Sequence, residues 1–69
     1  MDTIALLTKE IRKAMIDADV SYDQIGEGSG STWYKRIRNA GRMSVEDYFY
    51  LCRRLHIDPD EPIRNITRR

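Results

Sequence analysis

The stretch Ser21–Asn39, SYDQIGEGSGSTWYKRIRN, decides how this chain folds. Its opening residues predict a short helix through Tyr22, Asp23, Gln24 and Ile25. Ser21 can cap that helix, and Gln24 stands at the third helical position, where a capping box needs its partner. Gly26, Gly28 and Gly30 stop it within one or two turns, because each glycine costs helix stability. Ser31 or Thr32 then caps another helix, from Trp33 to about Asn39. Ala40-Gly41 ends it in a glycine-type stop.

Upstream, Ile4, Leu7, Ile11, Ala14, Met15 and Ala18 recur at steps of three and four and share one helical face. They predict a helix over Thr3–Asp19, capped by Asp2 or Thr3. Lys9, Arg12, Lys13 and Asp17 fall elsewhere on that wheel. Downstream, Ser44 with Asp47 resembles a capping box and opens a helix whose apolar stripe is Val45, Tyr48, Leu51, Cys52 and Leu55, with Phe49 beside it. Asp58-Pro59-Asp60-Glu61 starts a last short helix through Ile63 and Ile66, and 67–69 is expected to fray. The fold class expected is all-α: a compact five-helix domain spanning 1–69, with a helix-turn-helix at about 21–39.

The chain has 69 residues, which makes it one small domain. A domain this size buries only about 60% of its unfolded surface, so helix packing or a partner must add stability. Cys52 and His56 are the only residues of their kinds. An internal disulfide and a Cys/His zinc site are therefore excluded. No apolar run approaches the ~18 residues of a membrane span. The start Met1-Asp2-Thr3 lacks a secretory pattern, so a cytoplasmic setting is expected. With one His, one Cys and no phosphate-cradling motif, no acid/base or nucleophile pair is available, and neither an enzyme nor a cofactor is expected. The formal charge is +1, but it is unevenly placed. Asp17, Asp19, Asp23 and Glu27 form an acidic block, and Lys35, Arg36, Arg38 and Arg42 follow as a basic one. Four cations uninterrupted by an acid point toward a polyanion.

Three segments carry a family resemblance. IRKAMIDADVSYDQI (11–25), STWYKRIRN (31–39) and MSVEDYFYLCRRLHI (43–57) together resemble phage Cro and repressor proteins, within the wider xenobiotic-response-element-like helix-turn-helix family. The resemblance covers roughly Thr3–Ile57. This chain departs from the family in its turn, IGEGSGSTW, which is about three residues shorter and glycine-rich. What the resemblance implies is a sequence-specific regulator of transcription, Cro-like and repressor-like, that reads double-stranded DNA with the helix after the turn.

In such an arrangement the recognition helix lies in the major groove, its N-terminal residues at base edges. Ser29, Ser31, Thr32, Tyr34, Lys35 and Arg38 are the expected base-reading residues, with Lys35 and Arg38 suited to guanine O6 and N7. Tyr22, Gln24, Asn39 and Arg42 are the expected phosphate contacts, which set register without reading sequence. Gln24 also has a competing role in its own cap. Trp33 and Ile37, four apart, are expected to face the core. Partners expected are a pseudo-palindromic operator and a second copy of the chain, with no membrane and no small-molecule substrate. Phe49, Tyr50, Ile57, Ile63 and Ile66 are the candidate dimer contacts. The competing reading is a protein-binding module that keeps the scaffold but reads little DNA.

Overall fold

In a computed structural model the described residues are 2–26 and 28–68. The longest element, α1 (Thr3–Ala18), is capped by the Asp2 carboxylate, which accepts from the Ile4 N–H at 3.0 Å. It ends on Asp19, held in the left-handed region at φ 55°. There the Asp19 N–H bonds Ile16 O at 3.1 Å and the Val20 N–H bonds Met15 O at 3.0 Å, a Schellman closure without glycine. α3 (Val45–Arg54) closes the same way. His56 has φ 59°, its N–H bonds Arg53 O at 3.2 Å, and the Ile57 N–H bonds Cys52 O at 3.0 Å. In both closures the next apolar residue, Val20 or Ile57, folds back against the core.

The five expected helices resolve into four α-helices and two short 3-10 turns among the described residues. The segment read as a second helix is a single 3-10 turn, Tyr22–Gln24, because the glycines that follow leave no room for another turn. A second 3-10 turn, Ala40–Arg42, follows the basic helix. That helix, α2 (Gly30–Arg38), starts three residues before Trp33. Its cap is Ser29, not Ser31 or Thr32: the Ser29 hydroxyl accepts from the Thr32 N–H at 3.2 Å. Gly30 stands at the first helical position, where it interrupts nothing. Ser44 caps α3 through the Asp47 N–H at 3.1 Å. The Asp47 carboxylate is directed to Arg36 instead, at 3.6 Å. α4 (Asp60–Thr67) has Pro62 at its third position, where the missing N–H would have had no helical partner.

Ile11 and Met15 of α1, Ile25, Trp33 and Ile37 of α2, Ala40, Leu51 of α3 and Leu55 just past its end form one core. α1 runs through the middle and packs on α2 and α4. Leu7, Ala14, Tyr48 and Tyr50 pack around that core. Three stripe positions expected inside lie outside: Val45, at the first turn of α3, is 67% exposed, and Ile4 and Ala18 are exposed at the two ends of α1. Of the candidate dimer contacts, Tyr50 and Ile57 pack against the monomer's own core. Phe49 and Ile63 stay about half exposed, and Ile66 is half-buried. No helix among the described residues is long and apolar enough to cross a membrane.

Candidate nucleic-acid interface

The turn before α2 is held from behind by two aromatic side chains. Tyr50 donates its hydroxyl to Ile25 O at 3.1 Å, and the Trp33 indole N–H donates to Gly26 O. Gly26 has φ +93°, and a Cβ there would lie 2.6 Å from the Tyr50 hydroxyl. Only glycine serves at that point. Trp33 stacks on Tyr50 with centroids 5.9 Å apart, and both Trp33 and Ile37 are fully buried. One face of α2 is thereby fixed to the core.

The opposite face is an exposed stripe of Ser31, Tyr34, Lys35 and Arg38, spaced three, four and seven apart. These four side chains are exposed, as expected of this face from the sequence. Ser29 and Thr32 are different: Ser29 is the cap, and the two hydroxyls bond each other at 3.0 Å. Ser29 is exposed and Thr32 half-buried, so both sit at the rim rather than on the stripe. Tyr34 meets Tyr22 edge to face, with centroids 5.4 Å apart, which ties the 3-10 turn to α2.

Among the expected phosphate contacts, Gln24 closes its own turn, its Oε1 accepting from the Ser21 N–H at 2.9 Å. Asn39 and Arg42 are exposed just beyond α2. Arg36 leaves the basic face altogether. Its guanidinium lies 4.9 Å from the Trp33 ring centroid and pairs with Asp47.

Asp23 lies against the start of α2, since a Cβ on Gly30 would be 1.9 Å from its Oδ1. A carboxylate there favours the positive end of the helix dipole and competes with an incoming phosphate. Glu27 lies outside the described residues.

No family model, curated protein or solved structure matches the chain. What the surface does must be read from its own side chains. Lys9 and Arg12 were passed over in sequence as residues off the apolar stripe. They join Ala5, Thr8 and Arg38 around one cleft. The signal was present: Ala5, Thr8, Lys9 and Arg12 have the spacing of a single helical face. What sequence spacing lacked was the crossing of α1 over the end of α2, where the Thr8 hydroxyl donates to Ile37 O at 2.8 Å.

Proposed function

We propose that this chain is a sequence-specific double-stranded DNA-binding protein, a Cro-like transcriptional repressor acting in the cytoplasm as a homodimer, with α2 in the major groove. The observation that carries the reading is the two-faced α2: Trp33 and Ile37 anchored inside, with Ser31, Tyr34, Lys35 and Arg38 outside. Nine residues of helix span about 14 Å, commensurate with a groove about 12 Å wide. Lys35 reads guanine, Tyr34 meets a thymine methyl or a sugar, and Asn39 with Arg42 holds the backbone past the end of α2. Phe49 and Ile63, both about half exposed, are the dimer contacts.

The test is selection of bound duplexes from a random library, followed by the salt dependence of binding to the selected duplex. A palindromic sequence and a log–log slope near −0.9 per phosphate neutralised are expected. Lys35→Ala should cost ~1–3 kcal/mol and relax preference at one position. No enriched sequence together with a flat salt response would overturn the reading.

A second reading, the protein-binding module, is favoured by Ile16. It is 79% exposed beside Val20 and Tyr22, along a groove of about 470 Å³. A protein recovered on that groove by a chain that retains no duplex at low salt would favour it.

A further inference from the structure

The cleft between α1 and the end of α2 has a volume of about 470 Å³ and is lined by Ala5, Thr8, Lys9, Arg12 and Arg38. Three of its five walls are cationic and none is acidic. The Arg36–Asp47 ion pair involves none of these three cations. Lys9 and Arg12 also line an adjoining depression with Glu10, Lys13, Ile16 and Asp17, so the acids nearest in sequence border these two cations on the side away from Arg38, and Glu10 is buried. The floor is fixed in advance. Thr8 is buried and its hydroxyl bonds Ile37 O, locking the α1 face against α2.

We infer that this cleft is a phosphodiester site, in which Lys9 and Arg12 of α1 close with Arg38 on the backbone of a DNA strand. The inference rests on the DNA-binding reading and changes it in one respect: Arg38 turns from a base reader into a phosphate ligand. The geometry favours a nucleic acid over other polyanions because Arg38 belongs to both surfaces. It ends the exposed stripe of α2 and forms a wall of the cleft. A ligand lying along the stripe must therefore pass its edge through the cleft. Lys9 and Arg12 are three residues apart, about 4.5 Å along the axis. Strand phosphates advance about 3.4 Å along the duplex axis, so the pair matches one or two neighbouring phosphates.

The experiment compares the wild type with Lys9→Gln/Arg12→Gln by fluorescence anisotropy on a labelled 20-base-pair duplex of mixed sequence. Both side chains are exposed, so the fold should survive, which a thermal melt checks. Loss of two phosphate contacts should reduce the salt slope by about 1.8, so the affinity deficit shrinks about 12-fold between 50 and 200 mM salt. The deficit should be the same on every duplex, unlike that of Lys35→Ala. Arg54→Gln/Arg64→Gln removes the same charge outside the cleft and should leave the slope nearly unchanged. An unchanged slope in the cleft variant, or an equal loss in the control, overturns the phosphate site while leaving DNA binding intact. If the wild type binds no duplex, the DNA reading fails, and NMR titration with inorganic phosphate still examines the cleft. Saturable shifts at Thr8, Lys9 and Arg12 in that case overturn the nucleic-acid occupant. Equal retention of a polyglutamate peptide, lost in the cleft variant, overturns it in favour of an acidic protein.

Discussion

Trp33 is the side chain on which the orientation of α2 turns. It fills the core, stacks on Tyr50, carries the Arg36 guanidinium on its ring, and donates to Gly26 O in the turn. Truncation to alanine should cost ~3–5 kcal/mol, comparable with the whole stability of a domain this small. Trp33→Phe separates the hydrogen bond from the bulk of the burial. It leaves Gly26 O without its donor and should cost ~1–3 kcal/mol by urea denaturation. A loss below about 0.5 kcal/mol would show that the turn does not depend on that bond. Inward placement of Trp33 and Ile37 was legible from their spacing alone. The fate of Arg36 was not, because the residue that captures it, Asp47, sits eleven positions on, in another helix. The cap role of Ser29 is not legible in the sequence, where Gly30 reads as a breaker and the cap is expected at Ser31 or Thr32. At the first helical position that glycine breaks nothing.

At the level of elements, α1 and α3 end in left-handed residues that carry a Cβ, Asp19 and His56. Aspartate tolerates that region better than histidine, and both are strained relative to glycine. His56→Gly relieves the strain at some cost in unfolded-chain entropy and should stabilise by a few tenths to ~1 kcal/mol. For a chain of this length that is a melting-temperature rise of roughly 2–8 °C. Asp19→Gly should act in the same direction and less. A lowered melting temperature in His56→Gly would show that its side chain holds more than the backbone reveals. The ends of α1 and α3 were readable from periodicity and caps. The short 3-10 turn was harder. A capping box announces a helix start without saying how many turns follow, and here the next tertiary contact, Trp33 on Gly26 O, ends the element.

For the molecule as a whole, α4 joins the fold partly through the Tyr48 hydroxyl, which donates to Pro59 O at 2.6 Å. Burial pushes the Tyr48 phenol well above the ordinary tyrosine range, and the neighbouring Cys52 thiol adds to the rise. Burial likewise raises Cys52. Both groups fold in their neutral forms. Their contribution is complete below the ordinary thiol value near 8.5 and tyrosine value near 10, and is lost as pH rises beyond them. The urea midpoint should therefore fall above about pH 9. In Tyr48→Phe the part of the fall beyond about pH 10 should shrink, at the cost of ~1 kcal/mol at pH 7 from the lost hydrogen bond. An undiminished alkaline fall in Tyr48→Phe would assign the effect elsewhere. A single all-helical domain was evident from the sequence, whereas the cleft of Lys9, Arg12 and Arg38 depends on where two helices cross. That crossing leaves a division of labour inside α2. Its inner residues, with Tyr50, set the helix in place, while the side chains of Ser31, Lys35 and Arg38 make no hydrogen bond, ion pair or ring contact with the rest of the described residues. The outer three positions can be rewritten without disturbing the scaffold, so a library varied only there should yield folded proteins with altered ligand preference.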